Sequence, residues 1–474
     1  MRQQAVRWLF LVALGQTLFG CEPAGRYPPQ VSAKTDQEEK DKLPSAPRDW
    51  AWSEPSPTYD VPIVFVPETN PEWSKLPVFW SYYPSRPAAA LVSPVGLDPL
   101  GAAVTFVLAR QMEKVLIKVP RGLPDPTPQI PAANPPTLAK WQLGKKLFFD
   151  KVLEFSRLES MSCASCHDPA TGFTQDRAFN LHCKTNTPTL INCVYNRRQF
   201  WDGRARFLEQ TVVSGLNDEN VPLEERPARH IWGGVVKALR DHADYRRRFQ
   251  DVFGIHDPTQ DAVAKALATY IRTILCGDSI YDRADKERLS QGAVELSARH
   301  FEKMLDAAAL KSLEQTKTED AAAALLQGKQ LFFGKARCHF CHPGPLFTDH
   351  DFHNIGLDEN DIAQLRGLEG RFDHVPIGLK ETRFIGAYKT PTLRALPRTV
   401  PYMHDGKFRT LQEVVDYFDR GIDARWHRYL DARLRDGADV ARPLGLSTGE
   451  VRALVLFLKS LDGGPVDLMI AAAK

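Results

Sequence analysis

The sequence predicts a mainly α-helical protein: two tandem copies of one unit behind an irregular N-terminal extension. Three observations predict it. First, landmarks recur in order at one spacing. Thr187-Pro188-Thr189-Leu190 returns as Thr390-Pro391-Thr392-Leu393, Asp202-Gly203-Arg204 as Asp405-Gly406-Lys407, and Leu208 to Val212 as Leu411 to Val415, each 203 residues on. Gly144-Lys145-Lys146-Leu147-Phe148-Phe149 also returns, as Gly328-Lys329-Gln330-Leu331-Phe332-Phe333. Second, apolar residues in the repeated part fall at helical spacing, and strand alternation is absent there. Third, Cys-x-x-Cys-His occurs twice, at Cys163 to His167 and Cys338 to His342, once after each copy of the Gly-Lys block.

Each pentapeptide is the attachment signature of a c-type haem. Two thiols, here Cys163 and Cys166 or Cys338 and Cys341, add to the two vinyl groups of one porphyrin. The trailing His167 or His342 then offers its imidazole to the iron. A lone Cys-x-x-Cys also serves redox dithiols and zinc sites. Two copies with the trailing His in matching contexts favour two covalently bound haem c groups. The units are therefore read as cytochrome c-like haem domains.

In chain order, residues 1–21 read as a lipoprotein-type signal peptide. Arg2 and Arg7 precede a short apolar run, and Leu18-Phe19-Gly20-Cys21 resembles a bacterial lipobox. Lipid on Cys21 would anchor the protein to a membrane surface in an extracytoplasmic, periplasmic location. Residues 22–60, rich in Pro and charge, read as a flexible tether. Residues 61–135 form a Pro- and aromatic-rich extension of irregular chain or short strands, with one helix near Ala102 to Val115. The N-terminal haem domain is placed at 136–285, a linker or helix at 286–316, and the C-terminal haem domain at 317–474.

Within the repeats, Asp257-Pro258 reads as a cap with Pro in the first turn, ahead of the apolar series Val263, Leu267, Tyr270, Ile271 and Ile274. Ser447-Thr448-Gly449-Glu450 is a capping box before Leu454 to Leu461. Trp232 to Phe253 reads as one helix with a solvated face at Arg246 to Arg248. The composition is 43% hydrophobic and 25% charged with a net charge of +3, which suits a globular core and gives no footprint for nucleic acid. Cys183, Cys193 and Cys276 remain; a Cys183–Cys193 bridge is the pairing favoured in an oxidising compartment, against three buried thiols.

Across residues 137–462 these motifs are similar to those of the bacterial di-haem cytochrome c peroxidases, which include the MauG-type enzymes. The likeness rests on the Gly144 block, Ser162 to His167, Gly172-Phe173, Asn186 to Thr189, Phe200-Trp201-Asp202-Gly203-Arg204, Lys389 to Arg394, Pro401 to Gly406 and Leu456 to Leu461. The resemblance implies a division of labour. The haem on His342 would accept electrons from reduced cytochrome c or a blue copper protein. The haem on His167 would meet hydrogen peroxide and reduce it to water. Trp201 would lie between them as the electron path. A pocket carboxylate with a pKa raised by burial would act as acid and base.

Glu219 is the candidate for that carboxylate, with Asp218 beside it and Gln210 as its companion; Gln210 and Glu219 fall slightly short of the family's spacing from Trp201. His182 is the candidate removable distal ligand. For the sixth ligand of the second haem the candidates are Tyr417 and Met403. A thioether would raise the potential, whereas a phenolate would lower it and favour higher oxidation states. The resemblance also implies one calcium ion, held by Asn186 and the carbonyls of Thr399 and Pro401; a homodimer is an allowed assembly. His230, His242, His256, His300 and His427 read as surface or packing residues. His350, His353 and His374 read as partners of haem propionates or backbone. Three functions compete: a di-haem peroxidase, a MauG-type oxidase acting on a partner protein, and a non-enzymatic electron carrier.

Overall fold

The computed structural model describes residues 61–76, 114–153, 162–175, 185–216, 231–357, 370–422, 429–435, 443–464, 466 and 468–471. The signal peptide and tether of the sequence reading lie outside these residues. All that follows concerns the compact unit Trp52–Lys474.

The extension contributes a two-stranded parallel sheet. β1 (Ile63–Val66) runs beside β2 (Val115–Lys118), with Ile63 opposite Val115 and Val66 opposite Lys118. Ile63, Phe65, Val115 and Ile117 are buried. The helix expected up to Val115 is thus corrected at its end. Val115-Leu116-Ile117 is an apolar, largely β-branched run whose burial alternates along the strand, which suits a half-buried strand; residues 102–113 lie outside the described residues. The extension is joined to the body by backbone: Leu138 N–H donates to Val61 O at 2.8 Å, and Asp278 N–H to Arg121 O at 2.7 Å. The Tyr195 hydroxyl adds a bond to Pro124 O at 2.7 Å.

In the first copy, α1 (Leu138–Phe149) starts at a Thr137 cap, α2 (Cys163–Cys166) carries the first Cys pair, and α3 (Leu208–Leu216) follows Trp201. α4 (Ile231–Asp241) and α5 (Ala243–Phe253) replace the single helix expected over this stretch. His242 breaks it, taking extended backbone angles and serving as the N-cap position of α5. Arg247 and Arg248 pair with Asp244 on the solvent side, as a solvated face would. α6 (Gln260–Ile271) is buried over most of its length, and its cap is Thr259, not Asp257. The Thr259 hydroxyl reaches Ala262 N–H, so the cap lies beyond Pro258. α1 crosses α6 at Gly144, where a Cβ would lie 1.9 Å from Ala266 O.

The segment expected as linker folds into α7 (Ile280–Ser290), α8 (Ala298–Glu302) and α9 (Ala307–Ser312). Their apolar faces share a cluster with the start of α10 (Thr318–Phe333), including Phe301, Leu313 and Leu325. α11 (Leu411–Asp419) and α12 (Thr448–Lys459) complete the second copy, and both carry capping boxes, at Thr410 and Ser447. A second apolar cluster joins Phe332, Phe347, Tyr417, Leu454 and Phe457. Short antiparallel strands β3 (Phe352–His353) and β4 (Tyr388–Lys389) pair Phe352 with Lys389, and Phe352 packs in a third cluster with Val375, Phe384 and Ala387. No helix among the described residues is long and apolar enough to cross a membrane.

The sequence repeat is a structural repeat. Thr189 Oγ1 donates to Gly172 O at 2.6 Å, and Thr392 Oγ1 to Leu346 O at the same distance. Gln199 bonds Cys193 O, and Tyr402 bonds Leu396 O. Phe200 and Met403 both take positive φ, 65° and 71°. In each copy the residue pair 203 positions apart does the same work.

Candidate functional site

The two Cys-x-x-Cys-His motifs are anchored alike. His167 Nδ1 lies 3.0 Å from Phe173 O, and His342 Nδ1 lies 2.8 Å from Phe347 O. A carbonyl only accepts, so each Nδ1 carries the proton and each Nε2 keeps a free lone pair. That is the tautomer a metal ligand needs. Burial pulls both imidazoles down to about 4, outweighing the carbonyl bonds, so both rings are neutral near pH 7. Burial pushes the Cys163 and Cys338 thiols up to about 12. None of the four motif sulfurs is in a disulfide. The aromatic surroundings also repeat. Phe148 packs on Phe173 and Tyr270, and Phe332 packs on Phe347 and Phe457.

Trp201 lies where the copies meet. Its Nε1–H donates to Asn186 O at 2.8 Å, and its own carbonyl accepts Lys389 N–H at 2.7 Å. Asn186 extends the junction: its N–H donates to His404 O at 2.6 Å, and its Nδ2 to Pro401 O at 2.7 Å and Met403 O at 3.3 Å. Asn186 is buried, and its Oδ1 has no partner. Turning the amide over would present Oδ1 beside two carbonyl oxygens, a donor set suited to a hard cation. Gly172 faces the Arg398–Thr399 backbone, where a Cβ would meet Arg398 O at 2.8 Å. Thr399 and Pro401 are thus both close to first-copy residues.

Other sequence candidates stand apart or outside. Gln210 is on α3, where its Oε1 accepts Arg206 N–H at 2.9 Å, a bond that ties down the start of the helix. Glu219, Asp218 and His182 lie outside the described residues. Tyr417 is buried on α11 and its hydroxyl donates to Ile355 O at 2.7 Å. Met403 packs against the same apolar cluster. Cys193 is a free, buried thiol, so the favoured bridge from it is not formed; Cys183 lies outside the described residues. Cys276 is likewise free and buried.

Two of the loop histidines meet carboxylates of the chain. His353 Nδ1 lies 2.6 Å from Asp431 Oδ2 and its Nε2 lies 2.9 Å from Asp349 Oδ2. His374 lies 3.3 Å from Asp202. Two buried ion pairs escaped sequence reasoning. Arg272 holds Glu209 at 2.6 Å, joined by Asn134 of the extension, and Arg394 holds Asp282 at 2.6 Å while also reaching Gly122 O. Charged residues within amphipathic stretches carry no sequence mark of burial.

A helical duplication with two haem-attachment motifs and a shared Trp junction defines a di-haem c-type protein. Comparison with known proteins agrees. The family model for di-haem cytochrome c peroxidase matches residues 138–289. The methylamine utilization protein MauG of Methylorubrum extorquens is 31% identical over 381 residues, 78% of this chain and 91% of that protein. The cytochrome-c peroxidase IdrP1 of Pseudomonas sp. strain SCT is 29% identical over 375 residues, 72% of this chain and 85% of that protein. Among solved structures, a MauG-like protein associated with microbial copper homeostasis superposes with a TM-score of 0.54 at 26% identity, covering 75% of this chain and 96% of that one. The chain belongs to the di-haem cytochrome c peroxidase and MauG family, a family of haem oxidoreductases whose members carry two haem c groups.

Proposed function

We propose that this protein is a di-haem peroxidase. It reduces hydrogen peroxide to water at the haem on His167, with electrons from a small redox protein entering at the haem on His342. The observation that supports this most is the junction: one residue, Trp201, is bonded through its indole to Asn186 of the first copy and through its backbone carbonyl to Lys389 of the second. The haems, when bound, supply the redox chemistry. The chain's part is to hold each imidazole in its neutral form with Nε2 free, to place Trp201 between the copies, and to supply a proton-transferring carboxylate, for which Glu219 is the candidate. One calcium ion on Asn186, Thr399 and Pro401 would brace the junction; the orphaned Asn186 Oδ1 supports it. The repeated halves, 136–285 and 317–474, are the proposed haem domains. A processed, lipid-anchored form beginning at Cys21 would sit on the outer side of a bacterial membrane.

A second reading is a MauG-type oxidase acting on a partner protein. Tyr417, buried with its hydroxyl 2.7 Å from the Ile355 carbonyl, is the candidate ligand this reading needs. Met403 as ligand favours the peroxidase. Rapid mixing of the mature protein with peroxide separates the readings. Catalytic turnover of reduced cytochrome c or reduced blue copper protein is expected. A long-lived doubly oxidised state without turnover would replace this reading with the second, and inertness toward peroxide would leave an electron carrier.

A further inference from the structure

Among the described residues, no carboxylate is bonded to the buried Lys389 ammonium. Lys389 is 7% exposed, and its Nζ has one contact, the carbonyl of neighbouring Thr390 at 3.5 Å. The side chain is placed by its backbone: Lys389 lies on β4 opposite Phe352, and its N–H is fixed to Trp201 O. The groups near enough to feel its charge do not neutralise it. Cys193 is a buried neutral thiol. Asp349 is committed elsewhere, with Oδ2 on His353 and Arg433 and Oδ1 on Asp351 N–H. His350 beside it is neutral: burial first, then the charges of Lys389 and Arg197, pull its imidazole down to about 4. The buried Nδ1 of His350 has no partner. Isolated buried ammonium groups are strongly disfavoured, and proteins retain them where a counter-ion is supplied.

The missing counter-ion has a source in the chain's own chemistry. A c-type haem is tied to the protein at its thioether edge and carries two carboxylates that must be placed somewhere. Lys389 is two residues from Pro391, whose backbone contacts the His342 ring, and its own backbone is bonded to Trp201. We propose that Lys389, with His350 beside it, holds a carboxylate of a bound haem at the junction of the two copies. The clamp would join one porphyrin, the Trp201 backbone and β4 in a single contact. As the chain stands, burial pulls the Lys389 ammonium down to about 8; a carboxylate partner would restore it to the ordinary lysine range. In the first copy the residue 203 positions earlier is Asn186, so the clamp belongs to the second copy alone.

The inference rests on the two-haem reading, which haem content tests separately. The experiment uses the mature holoprotein as wild type, Lys389→Met and Lys389→Arg, with haem content, potentiometric titration of both haems and thermal unfolding. Lys389→Met should keep two haems, lower the midpoint potential of one haem, because a positive charge next to it is gone, and lower the melting temperature. Lys389→Arg should return that potential toward wild type. An uncompensated lysine would give the opposite sign: methionine would raise the melting temperature and leave both potentials in place. Unmoved potentials overturn the proposal at any melting temperature. Should Lys389→Met not accumulate, a holoprotein crystal structure decides, since no haem carboxylate within about 3.2 Å of Lys389 Nζ would overturn it. Fewer than two haems in the wild type would sink the underlying reading, a result distinct from either.

Discussion

Gly328 and Ala453 touch backbone to backbone: a Cβ on Gly328 would lie 2.1 Å from the Ala453 carbonyl oxygen. The same crossing occurs at Gly144 and Ala266 in the other copy. Each glycine sits in the recurring Gly-Lys-x-Leu-Phe-Phe block, one turn before the Phe that packs beneath its haem motif. The glycine therefore sets how closely two helices approach, and that spacing sets where Phe332 meets Phe347, whose carbonyl orients His342.

Gly328→Ala tests this spacing. Alanine favours an isolated helix by about 1 kcal/mol. Here the obstacle is backbone, which cannot rotate away, and overpacking of this kind costs about 1–3 kcal/mol or more. Net destabilisation of about 2 kcal/mol is expected, read as a lower unfolding midpoint. Gly449→Ala, whose Cβ would meet nothing within 4 Å, is the control and should leave the midpoint unchanged or higher. A wild-type midpoint for Gly328→Ala would refute the crossing argument.

The Arg394–Asp282 pair joins three parts of the chain. Arg394 is 1% exposed, holds both Asp282 oxygens at 2.6 and 2.9 Å, and donates to Pro345 O at 2.8 Å and Gly122 O at 3.1 Å. Asp282→Asn would leave a buried guanidinium uncompensated, which costs about 3–5 kcal/mol. Asp282→Leu with Arg394→Met should recover a large part of that loss in denaturant unfolding. If the double variant is as weak as the sum of its single variants, the pair is not acting as one unit.

His353 gives stability a pH signature. Burial works against its charge, but Asp349 and Asp431 on either side of the ring, with the Cys341 sulfur, outweigh it and push the imidazole from 6.5 up to about 12. A raised folded value means the contribution is complete below about pH 6.5 and is lost as pH rises through about 12. Over pH 7 to 10 the unfolded chain has released a proton that the folded chain keeps, so stability should fall by at most about 1.4 kcal/mol per pH unit from this group. His353→Gln should be less stable at pH 7 and show a flatter decline. Equal slopes for both proteins would show that His353 is not charged in the fold.

Much of this architecture was legible because duplication leaves marks that do not depend on environment. Landmarks 203 residues apart take the same hydrogen bonds, and the two His ligands take the same tautomer. Capping chemistry is also local, which is why Ser447 is read correctly; at Thr259 the local signal of Asp257-Pro258 points two residues too early. Glu209, Arg272, Asp282 and Arg394 were not legible. No local pattern marks them as buried, and only the fold brings the opposite charge to each from 63 or 112 residues away. Lys389 was hidden within a motif that reads well for other reasons.

Asn186 carries the last prediction. Its side chain faces the Pro401 and Met403 carbonyls, its N–H holds His404 O, and its carbonyl holds the Trp201 indole. An ion bound there would stiffen the contact that fixes Trp201 between the copies. Calcium tolerates irregular oxygen sites at 2.3–2.6 Å, while magnesium demands about 2.0–2.1 Å in near-ideal octahedral geometry. Treating the mature protein with a calcium chelator should therefore lower its melting temperature and slow electron transfer between the haems. Added calcium should restore both, and added magnesium should not. Asn186→Leu should lower the melting temperature and make it insensitive to the chelator. A wild-type protein whose stability and inter-haem electron transfer are the same with and without the chelator would rule out a calcium brace at Asn186.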